Sequence, residues 1–405
     1  MSTTVIRNAK VFCGNRIIRR DVLIENGTIV EIGCVRKGET EIDARGSLLL
    51  PGAIDVHVHF RDLKEAYKED WYSGSCAAAA GGVTTVIDQP NTKPPVRDES
   101  SYVQKQRAAR KSVVDYGINA ALERLDHLET LWRLGVVAFG EVFIQEKSDG
   151  DLRRALQIIR HLNAVLCVHA ERVVNDALSE VAGIEAVLAC NKEIGAKVHV
   201  SHLSTAAGLD LLRTSTQDVT CEVTPHHLLL SELDCARLGA FATVRPPLRS
   251  PQDVEMLWSR FDEIDVVASD HAPHTAADKK MPCPAPGVPG VQTLLPLLLA
   301  KLDQIGLRTL VNLTSARPAA RFNLKNKGAI AKGFDGDLVL VDPKDRQKVT
   351  TRELQSKCGW TPFEGCNAVF PSLTMVRGEV VWNEGSIVVK KGWGNQVCGA
   401  GLQIT

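Results

Sequence analysis

The sequence predicts a (β/α)8 TIM-type barrel with a small β-rich domain built from both chain termini. Three observations carry that prediction. From about residue 54, short apolar runs alternate with longer segments of helical period. Eight such runs occur, nearly all followed by a helix-like segment, which is the count of a closed parallel barrel rather than an open sheet. The two ends of the chain have a different texture, period-2 stretches broken by Asn-Gly, Asp-Gly and Gly.

In chain order, residues 1–50 contain VIRNAKVF, RDVLIENGTIVEIG and EIDARGSLLLPG, which are strand-and-turn segments. The barrel is expected over 51–327. Its strands are IDVHVHF (54–60), TTVIDQP (84–90), DYGINAAL (115–122), AFGEVFI (138–144), AVLCVHA (164–170), KVHVSHL (197–203), VTCEVTP (219–225) and DVVASDH (265–271). Helical periodicity falls over 99–112, 150–162, 176–195 and 251–261. From 328 to 405 the β texture returns in GAIAKGFDGDLVLVDP and SLTMVRGEVVWNEGSIVV. Chain ends commonly lie near one another, so 1–50 and 328–405 are expected to form one composite domain. No dinucleotide-binding glycine fingerprint follows the first strand, which counts against an open nucleotide-binding sheet.

Bulk properties narrow the partners. The 405 residues are 44% hydrophobic and 24% charged with zero formal net charge, so nothing electrostatic points to nucleic acid or an anionic membrane. The N-terminus has no apolar segment of signal-peptide length, and no apolar run approaches a membrane span. The eleven cysteines are scattered without a C-x-x-C pair, which predicts reduced, mostly buried thiols in a cytoplasmic protein.

Catalytic side chains of such barrels stand at the C-terminal ends of the strands. Seven of the eleven histidines fall there: His57, His59, His169, His202, His226, His271 and His274. Any single strand-end histidine is more often a hydrogen-bonded structural residue. The joint pattern is different, because His57, His59, His169 and His202, with Glu141 and Asp270, converge from five strands on one mouth. Zinc binds imidazole nitrogen and carboxylate oxygen at about 2.0–2.2 Å. Six such groups exceed what one four-coordinate ion needs and suit two ions about 3.5–4 Å apart. Parity places His57 and His59 on one face, with Arg61 continuing it, and turns His199 towards the helical layer. By the same count His227 and His271 stand behind the mouth rather than in it.

The motifs HVHFRD, QPNTKPP, HAE (169–171), SHLST, TPHHL, SDHAPH and TPFEG resemble, in the same order, those of the cyclic amidohydrolases, specifically the dihydroorotases. The resemblance runs from about 51 to 380. It implies a zinc-dependent cyclic amidohydrolase that interconverts (S)-dihydroorotate and N-carbamoyl-L-aspartate in pyrimidine biosynthesis. On it, His57 and His59 hold one ion, His169 and His202 the second, and Asp270 binds metal and shuttles the proton of a metal-bridging hydroxide. Arg61, Asn91 and His274 are implied to grip the substrate carboxylate, and Pro286 and Gly287 to meet its ring through backbone groups. A homo-oligomer and an association with aspartate transcarbamoylase are left open.

Two positions depart from the pattern. Many relatives bridge the ions with a carboxylated lysine where this strand has Glu141, which either supplies the bridge itself or is a strand-end carboxylate that bridges nothing. Lys147 lies too far along to take that place. Relatives often carry Asn where TVRPPLR has Arg245, which puts a substrate contact there in doubt. The segment 274–293 is either a lid or a surface connection. Allantoinase and hydantoinase or dihydropyrimidinase share the metal motifs, and Arg61, Asn91 and His274 favour the dihydroorotase alternative. A non-catalytic relative acting as a structural partner is disfavoured because the four histidines and Asp270 are all present.

Overall fold

A computed structural model describes residues 3–173 and 177–399. The first two and last six positions of the predicted end segments, and residue 176 of the predicted helix 176–195, lie outside the described residues. Five strands come first: β1 (Thr3–Cys13), β2 (Arg16–Glu25), β3 (Thr28–Gly33), β4 (Thr40–Asp43) and β5 (Leu48–Pro51). Then follow β6 (Ala53–Val58), β7 (Val83–Asp88), β8 (Asp115–Ile118), β9 (Phe139–Phe143), β10 (Val165–His169), β11 (Lys197–Val200), β12 (Val219–Val223) and β13 (Val266–Val267). The last are β14 (Leu338–Val341), β15 (Gln347–Lys348), β16 (Asn367–Ala368), β17 (Leu373–Val376), β18 (Glu379–Asn383) and β19 (Ser386–Ile387).

β6 to β8 pair in parallel, as do β9 to β13. Two seams join these sheets into a ring, where Ala120 bridges Phe139 and Val58 bridges His271. The His59 amide donates to His271 O at 2.8 Å and the Gly140 amide to Ala120 O at 2.8 Å across them. The result is the eight-stranded parallel barrel. Its strands are continuous apolar runs because both faces are covered. Ile54, Val56, Ile87, Val165, Cys167 and Val266 fill the interior against Phe322 and Leu324. That plug sits at the N-terminal ends of the strands: Ser315 Oγ donates to Gly52 O and Arg317 Nη1 to Ile264 O, just before β6 and β13. The opposite end is left open for chemistry.

Helices Glu99–Ala109, Asp149–Leu162, Ala177–Asn191 and Pro251–Ser259 lie close to the predicted periodic segments, and Trp71–Ala80 and Ala206–Thr214 are further helices following strands. Most start on a side-chain cap, Asp70, Asp98, Ser148, Thr205 or Ser250, which satisfies amides the first turn leaves unpaired.

Both chain ends enter one sheet of order β19-β18-β17-β14-β5-β1-β2-β3, with β4 parallel to β1. The join is the antiparallel β5–β14 pair, Leu48 opposite Val341 and Pro51 opposite Leu338. Val11, Ile24, Leu49, Leu338 and Met375 form its core. A buried cation ties the sheet to the barrel. Lys327 Nζ donates to Asp115 of β8 at 2.8 Å, Asp335 at 2.9 Å and Asp337 at 2.6 Å. The three aspartates are spaced to hold a metal, but the Lys327 ammonium already stands among them and donates to all three.

All eleven cysteines are free; five are buried and three are exposed. The expectation of mostly buried thiols is therefore corrected: Cys34, Cys235 and Cys283 are exposed, and Cys13, Cys366 and Cys398 are half-buried. Among the described residues no helix is long and apolar enough to cross a membrane.

Candidate metal centre

At the open end of the barrel, His57, His59, Glu141, His169, His202 and Asp270 come together from five strands. His59 Nε2 lies 3.0 Å from Asp270 Oδ1, and His57 Nε2 lies 3.5 Å from the same oxygen. Glu141 stands between two imidazole pairs. Its Oε2 is 3.8 Å from His57 Nε2 and 3.9 Å from His59 Nε2. Its Oε1 is 2.6 Å from His202 Nε2 and 3.1 Å from His169 Nδ1. One carboxylate thus presents one oxygen to each pair, and the two sets His57–His59–Glu141 and Glu141–His169–His202 each gather donors close enough to share an ion.

Glycine brings that short arm into range. Gly140 has φ 125°, and a Cβ there would lie 2.1 Å from Cys167 O of the neighbouring strand. Without a side chain, β9 closes on β10 and carries Glu141 inward. Burial opposes ionisation of Glu141, yet hydrogen bonds from His169 and His202, with the charge of His57 nearby, hold its carboxyl well below the usual range.

The donor set fits a divalent metal. His57 Nε2 is buried, faces the mouth and has no hydrogen-bond partner. Three of the four imidazoles are also fixed from behind, as metal-binding histidines usually are, while His202 Nδ1 has no partner among the described residues. His57 Nδ1 bonds Glu222, His169 Nε2 bonds Glu171 at 2.8 Å, and His59 Nδ1 bonds Asn91 Oδ1 at 2.7 Å. Glu222 escaped the sequence reading, although a lone glutamate inside the apolar run VTCEV was a visible signal. Burial works against its charge, but His57 and His199 bring its carboxyl down to about 2. Replacing Glu222 with Gln is expected to weaken metal affinity about 10–100-fold, measured by equilibrium dialysis against graded free metal. Unchanged affinity would remove Glu222 from the centre.

His199 was expected to face the helices and does not. Its Nε2 lies 3.1 Å from Glu222 Oε2, and its ring is 5.3 Å from Phe322 in the barrel interior. β11 ends at Val200, and His202 follows in a turn at φ 35°, so alternation counted back from His202 misassigns His199. Arg61 also leaves the extended parity. β6 ends at Val58, and Arg61, Asp62 and Leu63 have φ 54°, 51° and 49°. Three successive side-chain-bearing residues in the left-handed region are costly and need support. Asp62 gives it: its carboxylate accepts from Leu63 N at 2.6 Å, Trp71 N at 3.2 Å and Lys111 Nζ at 3.2 Å, while its amide donates to Glu69 O.

That turn delivers Arg61 to the rim. Its Nε donates to Pro273 O at 3.3 Å, and its Nη2 is 3.0 Å from His274 Nε2, which is also 3.0 Å from Pro286 O. Burial, with Arg61 nearby, pushes the His274 imidazole down to about 3, so it is neutral. Asn91 is exposed and its oxygen faces His59 rather than Arg61. Gly287, at φ 128°, sits against Ala272, where a Cβ would come within 2.6 Å.

The other strand-end histidines are held in the frame. His227 bonds Thr224 Oγ1 at 2.9 Å and Pro246 O at 3.1 Å. His271 Nδ1 accepts from the Gly290 amide at 3.1 Å. His226 is buried, and burial pushes it down to about 4. Lys147 Nζ reaches Leu122 O, and Arg245 is exposed. The buried arginine of that loop is Arg249, whose Nε donates to Ser204 Oγ at 2.9 Å and whose Nη2 lies 3.6 Å from Glu171. It balances the carboxylate behind His169, and sequence spacing gave no sign of it.

Comparison with known proteins agrees with this geometry. The profile of the amidohydrolase family matches residues 48–381. A dihydroorotase of Methanosarcina mazei is 42% identical, covering 98% of both chains, and one of Archaeoglobus fulgidus is 39% identical over 94% of this chain and 99% of its own. Among solved structures, an L-hydantoinase (dihydropyrimidinase) from Arthrobacter aurescens superposes with TM-score 0.94 at 27% identity, covering 98% of this chain and 100% of its own. A dihydropyrimidinase from Brevibacillus agri gives TM-score 0.91 at 25% identity over 100% of both. A barrel whose open end gathers imidazoles around a central carboxylate, matched over most of its length by one family profile, leaves one assignment: the chain belongs to the amidohydrolase family.

Proposed function

We propose that the chain is a dihydroorotase, a metal-dependent cyclic amidohydrolase. It opens the ring amide of (S)-dihydroorotate to N-carbamoyl-L-aspartate and, in reverse, closes that ring in de novo pyrimidine biosynthesis. The observation that carries this reading is the pairing of Arg61 with neutral His274 at the rim of the metal centre. A guanidinium there recognises a substrate carboxylate in a way no neutral group can. The near-full-length relatives named dihydroorotase support the same substrate.

In this reading His57, His59, Glu141, His169, His202 and Asp270 hold a pair of zinc ions, with Glu141 as the bridge. When bound, the pair supplies acidified water and polarises the amide carbonyl. Asp270 accepts the proton of the attacking water and returns it to the departing ring nitrogen. Arg61 and His274 orient the carboxylate, the Pro286–Gly287 backbone walls the ring, and Asn91 steadies His59. Each of these jobs needs the residue type found there: an ionised acid for proton transfer, a planar cation for a carboxylate, and a side-chain-free backbone for close approach.

The test compares turnover of dihydroorotate, allantoin and dihydrouracil by the same metal-loaded preparation, then repeats it with Arg61→Ala. Dihydroorotate is expected to dominate. The variant is expected to raise its KM about 10–100-fold, the value of a charge-assisted hydrogen bond. Preference for either other substrate, or an unchanged KM, would overturn the assignment of Arg61.

A further inference from the structure

Lys279 has no solvent exposure and forms no ion pair among the described residues. All three ammonium protons go to backbone oxygens: Thr243 O at 2.8 Å, Ala285 O at 2.9 Å and Gly287 O at 3.0 Å. The Nζ also lies 5.6 Å from the ring centre of Trp360, whose Nε1 donates to His274 O at 2.7 Å. One cation therefore gathers three separate stretches: the segment after β12, the segment after β13 and a stretch near the C-terminus. Thr243 O additionally accepts the Gly287 amide at 3.0 Å, which doubles the first link.

The two carbonyls it holds at 285 and 287 flank Pro286, whose own oxygen meets His274 beside Arg61. Lys279 thus fixes the rim from behind, and it does so at a cost. A buried charge without a counter-charge is unfavourable, and burial alone brings this ammonium down to about 8. A neutral donor would hold carbonyls more cheaply. A cation in that place also adds positive potential to a rim that binds an anion, in a region too buried for solvent to screen it fully.

We propose that Lys279 is a positioning residue for the substrate: its buried ammonium staples the segment after β12 to residues 285–287 and so sets the backbone and the positive field of the carboxylate site. This rests on the dihydroorotase reading for the substrate but not for the staple. Within segment 274–293, Ala277 and residues 280–283 are exposed, while Lys279 and everything from Gly287 to Thr293 are buried.

The experiment uses Lys279→Met in the full-length, metal-loaded enzyme, with Lys279→Gln as the second variant because it keeps N–H donors without the charge. KM for dihydroorotate is expected to rise at least tenfold while kcat and metal content stay within about threefold of the parent. Amide exchange across 285–288 and 243–244 is expected to quicken in Lys279→Met. Lys279→Gln is expected to restore slow exchange in part but leave KM high, because the charge is missing. An unchanged KM overturns the proposal, as does a parallel fall of kcat, metal content and affinity, which marks general loosening. If the parent enzyme does not turn over dihydroorotate, the substrate reading fails by itself. The kinetic arm is then run on the cyclic amide it does hydrolyse, and the exchange arm stands unaltered.

Discussion

Asp270→Asn will lower kcat about 10²–10⁴-fold while most of the metal stays bound. The side chain stands just beyond β13 at φ 45°, with Oδ1 3.0 Å from His59 Nε2 and 3.5 Å from His57 Nε2. Asparagine fills the same volume and keeps one oxygen that can face the imidazole pair. It cannot accept a proton from the attacking water or hand one to the leaving nitrogen. The loss should therefore fall on kcat, with KM and metal content little altered. Steady-state kinetics and elemental analysis on one preparation separate these quantities. A rate near that of the parent at full metal loading would mean that another group carries the proton. Loss of metal in proportion to rate would make Asp270 a ligand only.

The barrel was legible because each parallel strand is covered on both faces and reads as an apolar run, so a polar letter at its end stands out. That is how His57, His59, Glu141, His169, His202 and Asp270 came to be singled out together. The side-chain directions that were misread share one cause. Parity assumes an extended chain, and the functional ends of these strands are not extended. Val200 ends β11 before His202, and Val58 ends β6 before Arg61, so both His199 and the route of Arg61 were misread. Asp62 had no assignable role until the left-handed turn it supports was visible.

Other residues were hidden for a different reason. Lys279 acts on carbonyl oxygens, and every residue has one, so no pattern in the sequence marks its partners. Arg249 balances Glu171 across the fold, where chain spacing carries no information. Glu222 differs: it sat in plain view as a charge inside a buried strand, and a buried carboxylate requires partners. It could have been proposed as the support of a strand-end histidine, though not of which one.

Glu141→Gln is the second variant with a large expected effect, because it strikes both halves of the centre together. If the centre holds two ions, as proposed, bound metal is expected to fall to at most a single ion, and activity by more than the roughly 100-fold typical of removing an outer partner. The reason is the division of labour between its oxygens. Oε1 lies 2.6 Å from His202 and 3.1 Å from His169, and Oε2 lies 3.8 Å and 3.9 Å from His57 and His59. An amide of the same shape keeps one oxygen and turns an NH2 towards the other pair, where a cation would repel it. A residue serving only one ion would lose that ion and leave the second with its affinity intact. Metal titration of the variant, followed by elemental analysis after exhaustive dialysis, distinguishes the two outcomes. Full stoichiometry in Glu141→Gln would mean that the carboxylate bridges nothing. In that case the close approach of β9 to β10 at Gly140 would need a different explanation, because its consequence here is to bring a two-carbon carboxylate arm between the two imidazole pairs.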